Sequence, residues 1–180
     1  MVNKMNKRIQ IIKGDITRQV VDAIVNAANN SLLGGGGVDG AIHYAAGPEL
    51  LEECRKLNGC PTGKAKITKG YNLPAKWIIH TVGPVWHGGY NKEDSYLSQC
   101  YKNSLSLASS YRLKTIAFPA ISAGIYRFPL ERATKIAIKE TIIFLKRNQS
   151  IDKVIFVCFS QTIFKVYTMI LEKLGKEFKE

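Results

Sequence analysis

The sequence predicts a single α/β domain, with a central, largely parallel β-sheet covered by helices on both faces. Two patterns carry that prediction. Short runs such as Ala23–Ala28 and Lys153–Phe159 are almost continuously apolar rather than alternating, as strands buried on both sides are. Between them lie longer stretches whose apolar residues recur at spacings of three and four, the mark of amphipathic helices. With 180 residues, 46% of them hydrophobic, the chain is long enough to bury one real core and needs no second domain.

Taken in order, Arg8–Lys13 reads as the first strand through Ile9, Ile11 and Ile12, and Ala23–Ala28 as the second. Val38–Ala46 is an apolar helix former. Pro48–Asn58 reads as a helix with proline in its first turn and Gly59 just past its end. Ala65–Tyr71 and Lys76–Val82 are strand-like, and Leu97, Tyr101, Leu105 and Ala108 fall at helical spacing. Lys114–Pro119, carrying Ile116 and Phe118, returns to strand. A helix from Pro129 to Arg147 turns Ala133, Ile136, Ala137, Thr141 and Phe144 inward; Lys153–Phe159 is the strongest strand, and Ile163, Tyr167, Ile170, Leu171 and Leu174 mark the last helix. Ligands of such sheets bind at the carboxyl ends of the strands. Asn29, Gly34–Gly37, Ala120–Phe128 and Phe159 all follow predicted strands and are expected to share one crevice.

The glycine segment is the most informative. Gly34-Gly35-Gly36-Gly37 leaves a bare backbone whose N–H groups can approach a ligand closely, and the helix that follows aims its positive end at the same spot. An anion belongs there. Asp39, inside that frame, repels what the backbone attracts, which suggests chemistry. Its alternative is a helix N-terminal carboxylate that complements the dipole. Gly35, Gly37 and Gly40 match a dinucleotide fingerprint in form, but the preceding strand is too distant and no acid follows to hold a ribose. Gly59–Ala65 resembles a P-loop that is one residue short and ends in Ala where a magnesium-binding hydroxyl is needed, so it reads as a turn.

A net charge of +12 favours polyanionic partners, nucleotides or RNA among them, against the alternative of a lysine-rich soluble surface. Residues 1–7 read as a basic N-terminal extension without the apolar core of a signal, and no apolar run approaches membrane-spanning length, so a cytoplasmic location and no membrane partner are expected. Cys54, Cys60, Cys100 and Cys158 lack metal-ligand spacing and read as free thiols. No metal and no cofactor is implied.

Gly14–Thr17, Asp22–Asn29, Gly34–His43, Ala45–Gly47, His80–Pro84 and Ser122–Tyr126, in this order, resemble the macro domain family, specifically its MacroD-type ADP-ribose hydrolases. The resemblance runs from Ile9 to Leu174. It implies a three-layer α/β/α sandwich around a mixed, mostly parallel six-stranded sheet, with ADP-ribose and O-acetyl-ADP-ribose as ligands. Hydrolytic members remove an acyl group from the distal ribose, and their substrates extend to ADP-ribosylated acidic side chains of proteins.

Each role the resemblance implies has a physical reason. Asp15, with Ile16 beside it, would accept a hydrogen bond from the adenine amino group; the alternative is a cap or turn residue. Phe159 would stack on adenine, although a core strand also contains such an aromatic. Backbone N–H groups of Gly36, Gly37 and Val38, and of Ser122, Ala123, Gly124, Ile125 and Tyr126, would enclose the diphosphate, with Gly124 permitting close approach. Asn29 would bind the distal ribose, which Tyr126 would cover, while Asn26 and Asn30 are either ligand contacts or strand-end amides. Asp39, helped by Asn29, would orient or deprotonate the attacking water. His43 and His80 read as satisfied core histidines. Arg127 stands where the family loop has glycine, and either strains that loop or adds charge at the diphosphate. Ser160 stands where an acidic residue often follows the aromatic. A pure ADP-ribose reader, or a nucleic-acid binder relying on charge alone, are the competing functions.

Overall fold

The computed structural model describes residues 7–178, so the expected basic extension lies outside the described residues except for Lys7, which sits in an exposed turn. Six strands and five α-helices alternate: β1 (Ile9–Lys13), β2 (Ala23–Ala28), α1 (Gly37–Ala46), α2 (Pro48–Lys56), β3 (Ala65–Lys69), β4 (Trp77–Val82), α3 (Glu93–Ser110), β5 (Thr115–Phe118), α4 (Leu130–Arg147), β6 (Lys153–Cys158) and α5 (Gln161–Glu177). A short 3-10 turn, Ile16–Arg18, follows β1. The strand order is β1-β6-β5-β2-β4-β3. Every neighbouring pair is parallel except β3 with β4. The sheet is therefore mixed and mostly parallel, as the resemblance implies.

Both faces of the sheet are covered, which is why its strands carry apolar residues without alternation. Val25, Ile79, Ile116, Phe118, Val154 and Phe156 pack on one face against Leu97, Tyr101, Ala137, Ile138, Tyr167 and Ile170 of α3, α4 and α5. Ile24, Ala28, Ile78, Val82 and Val157 point the other way, onto Ile42, Ala46, Leu50 and Cys54 of α1 and α2. The first layer is anchored by aromatics: Tyr101 and Phe118 lie 5.1 Å apart, Phe118 and Phe156 5.9 Å, and Phe156 and Tyr167 5.2 Å between ring centroids. Such pairs add about 0.5–1.5 kcal/mol each beyond their burial.

Several predicted ends moved by one residue, and two moved by two. The helix expected to reach Asn58 stops at Lys56, because Asn58 (φ 54°) and Gly59 (φ 77°) both turn into the left-handed region. The strand expected to reach Tyr71 stops at Lys69, since Gly70 donates its N–H to Lys76 O and closes the turn into β4. All four cysteines are free and buried, and burial pushes Cys54 up to about 11 and Cys158 up to about 12, so these thiols stay protonated. Among the described residues no helix is long and apolar enough to cross a membrane.

Candidate active site

Because β1, β2, β4, β5 and β6 are parallel, their carboxyl ends meet on one side of the sheet, and a cleft of about 620 Å³ opens there. That volume suits a nucleotide-sized ligand. Each wall follows a strand: Asp15 and Ile16 follow β1, Asn29 follows β2, Gly83 follows β4, Pro119 to Ser122 follow β5, and Phe159 follows β6. The N-terminus of α1 supplies Gly35, Gly36, Gly37, Val38 and Asp39.

Two backbone loops face one another across the centre. Gly36 caps α1 with no side-chain hydrogen bond, and the N–H groups of Gly37, Val38 and Asp39 in its first turn are those an α-helix leaves without an internal partner. Opposite, the N–H groups of Ser122, Gly124, Ile125 and Tyr126 make no hydrogen bond among the described residues, while Phe128 N–H closes the loop onto Ser122 O at 2.9 Å. Ile125 leans over the glycines, its Cδ1 3.5 Å from where a Cβ at Gly36 would lie. Ser122 is held at φ 62°, and Gly83 passes beneath it so closely that a Cβ there would meet Ser122 Oγ at 2.1 Å. The loop is braced from outside, since the Trp86 backbone N–H donates to Tyr126 O at 2.9 Å and its ring packs at a tilt 4.7 Å from that of Phe128.

Asp39 is only 4% exposed, yet it lines the cleft. Its Oδ1 accepts from Asn26 Nδ2 at 2.8 Å, whereas Oδ2 accepts no side-chain hydrogen bond among the described residues. A Cβ at Gly35 would stand 3.1 Å from that Oδ2 and 3.2 Å from Asn29 Nδ2, so any other residue would wedge between the carboxylate and the amide. Asn29 is itself tied: Nδ2 donates to Gly34 O at 2.9 Å, and Oδ1 accepts from Ser31 N and Ser31 Oγ at 3.1 and 2.6 Å. One amide hydrogen of Asn29 remains for a ligand.

Behind Asp39 lies a buried polar chain. Asn26 pairs in register with His80 across β2 and β4, and its Nδ2 lies 3.1 Å from His80 Nδ1. His80 Nε2 lies 2.9 Å from Thr68 Oγ1, and Thr68 Oγ1 donates to Lys69 O at 3.2 Å. Burial, then the neighbouring His43, lowers His80 to about 3.

The outer end of the cleft is more open. Phe159 is 83% exposed, so it is a cleft wall and not the core aromatic its strand allowed. Asp15 does both things its position allowed: Oδ1 caps the 3-10 turn by accepting from Thr17 N and Thr17 Oγ1 at 2.9 and 2.7 Å, while the residue lines the cleft. The Thr17 hydroxyl holds its carboxyl below the usual range. Ile16 is buried under the same wall.

Several expectations need correction. Asn26 is fully buried and does not line the cleft; its amide is spent on Asp39 and His80. Ala123 also stays off the cleft, with its N–H turned back to Ala120 O at 3.3 Å and its side chain against the core. Gly124, by contrast, lines the cleft with open space where a Cβ would be, so nothing in the protein itself obstructs a close approach there. His43 is not satisfied: Nε2 is buried without a hydrogen bond, 3.6 Å from Asp39 Oδ1. Arg127 sits at φ 58°, exposed and outside the cleft wall, which favours loop strain over diphosphate contact. Ser160 caps α5 by accepting from Ile163 N at 3.2 Å. Gly35 and Ile121 line the cleft within the segments expected to share it, and Gly83 joins them from the end of β4, where no ligand role was expected.

The family model described as the Macro domain matches residues 25–137. A macro domain-containing protein of Methanosarcina mazei is 61% identical over 93% of this chain and 89% of its own length. An O-acetyl-ADP-ribose deacetylase of Escherichia fergusonii is 51% identical over 96% of this chain and all (100%) of its own. Among solved structures, a Trypanosoma brucei macrodomain in complex with ADP-ribose superposes with a TM-score of 0.89 at 45% identity, covering 94% of this chain and 71% of that one. Fold, cleft and relatives agree, and the chain belongs to the macro domain family.

Proposed function

We propose that this protein binds ADP-ribose and hydrolyses acyl esters of its distal ribose, with O-acetyl-ADP-ribose as substrate and ADP-ribosylated acidic side chains of proteins as a second class. The observation that carries the reading is Asp39: a carboxylate held by Asn26, with its other oxygen toward the cleft, beside a cradle of backbone N–H groups. A reader of ADP-ribose gains nothing from it. A carboxylate there repels the diphosphate, and that cost is recovered only if the group acts on something else.

Asp39 Oδ2 takes a proton from a water as that water attacks the acyl carbonyl. The tetrahedral intermediate collapses, the acyl C–O bond breaks, and the ribose oxygen leaves with the proton that Asp39 took up, giving a carboxylic acid, ADP-ribose and the Asp39 carboxylate again. Gly36, Gly37, Val38, Ser122, Gly124, Ile125 and Tyr126 hold the diphosphate, so that the ester carbonyl is presented to the water. Asn29 holds the ribose with its remaining N–H. Phe159 and Asp15 take the adenine. Among the described residues no group of three or more His, Cys, Asp or Glu converges to hold a metal ion.

Acetate release from O-acetyl-ADP-ribose, measured beside calorimetric titration with ADP-ribose, tests the reading. Turnover with binding is the expected result. Binding without turnover would reduce the protein to a reader, and neither would remove the proposal.

A further inference from the structure

We propose that Asn26, His80 and Thr68 form a buried positioning chain that fixes the Asp39 carboxylate, and that His80 works in it as the neutral tautomer protonated at Nε2. The catalytic consequence rests on the hydrolase reading; the chain itself does not.

The proton order follows from donors and acceptors alone. Asn26 Nδ2, held against the Asp39 carboxylate, offers only hydrogens, so His80 Nδ1 must accept; the hydrogen of the neutral ring then stands on Nε2 and is donated to Thr68 Oγ1, whose own hydrogen goes to Lys69 O. Nδ1 thus takes one N–H of Asn26, while the other goes to Asp39 Oδ1. Turning the amide over would set Asn26 Oδ1 against the Asp39 carboxylate, two acceptors with no hydrogen between them. Only one arrangement is consistent along the whole chain. It carries a cost, because Asn26 Oδ1 is left buried without a partner.

The surroundings keep His80 uncharged. Ile24 and Ile78 on the sheet and Ile42 on α1 enclose that layer. The titratable groups around the ring are His43 on α1, 6.5 Å between centroids; Cys54 on α2, its Sγ 3.9 Å from Nε2; Asp39, reached through Asn26; and Lys66 on β3, register partner of His80, whose Nζ donates to Leu57 O instead. Burial and His43 both oppose protonation of His80. A charged ring would need a hydrogen on Nδ1 and would push the Asn26 amide away from Asp39.

Two measurements test this. Ring-labelled 15N histidine spectra, with His80 assigned by its absence in His80→Asn, report the tautomer whether or not the enzyme turns over. An Nε2-protonated neutral ring near neutral pH is expected; an Nδ1-protonated ring or an imidazolium would overturn the chain. In steady-state assays, Asn26→Leu and His80→Leu should lower kcat about 10- to 100-fold with ADP-ribose affinity within about twofold, the pattern of a misplaced catalytic group. His80→Asn, which keeps an acceptor for Asn26, should retain more kcat than His80→Leu. A folded Asn26→Leu protein with wild-type kcat, or one losing affinity and kcat in proportion, would overturn the positioning role. If Asn26→Leu fails to fold, Thr68→Val takes its place under the same criteria. An inactive wild type would remove the hydrolase reading while leaving the spectrum to decide the chain.

Discussion

The two ends of the cleft are built differently. At the outer end, Phe159 stands largely in solvent and Asp15 hangs from a single short turn. At the inner end, Asp39 is almost fully buried, tied to Asn26 and, through it, to His80 and Thr68 on two further strands. Stacking on a base tolerates motion, because an aromatic face binds over a range of positions. Delivering a water to a carbonyl does not tolerate it. On the proposed function, affinity therefore rests on exposed side chains at strand ends, and chemistry on a side chain braced from the core.

The sharpest break in that comparison is Asp39→Ala. Loss of a general base lowers turnover by about 10²–10⁴. ADP-ribose affinity should stay similar or improve slightly, since a charge facing the diphosphate is gone. Parallel kinetics and calorimetry check it, and a variant that hydrolyses at the wild-type rate removes Asp39 from the mechanism. Asn29→Ala, by contrast, should impair both quantities.

The brace has its own signature in pH. His80 binds a proton near 6.5 when unfolded but only at about 3 when folded. Between those values the unfolded chain binds more protons, so stability is full above 6.5 and is lost as the pH falls toward 3. At about pH 5 the loss should be about 2 kcal/mol relative to about pH 8. Denaturation midpoints at the two pH values measure it, and His80→Asn should flatten the difference.

At the open end, Phe159→Ala or Asp15→Ala should cost about 1–3 kcal/mol of ADP-ribose affinity with kcat little changed. A fall in kcat with unchanged affinity would reverse the assignment of the two ends. The smallest effect is expected from Arg127→Gly: removing a side chain from a left-handed position relieves about 1 kcal/mol of strain, partly offset by the added freedom of glycine when unfolded. Thermal melting should rise slightly, and a salt-sensitive loss of affinity would instead place the guanidinium at the ligand.

Much of this was legible from residue order. Proline at the start of α2 and Gly59 beyond its end mark that helix locally, and the continuous apolar character of β2 and β6 announces a sheet covered twice. The glycines before α1 identify an anion site because bare backbone at a helix start has few other uses. The cleft walls at Asp15, Asn29, Ser122 and Phe159 follow from strands ending on one side. His43 and Asn26 were misjudged for one reason: each was assigned from the chemistry of its own segment, and their partners lie elsewhere.

By itself, then, the sequence determined what depends on neighbours within a few residues: the kinds of element, their caps, the free N–H groups ahead of Val38 and the carboxylate among them. Tertiary structure decided what depends on register between strands distant in the chain. Asn26 and His80 are 54 residues apart, and nothing in either segment says that β2 and β4 will be paired so that the two side chains meet. A shift of one residue would have turned His80 to the opposite face of the sheet. Sheet pairing is a long-range outcome of packing both faces at once. That is why the anion cradle can be read along the chain, while the support behind Asp39 exists only once the sheet has formed.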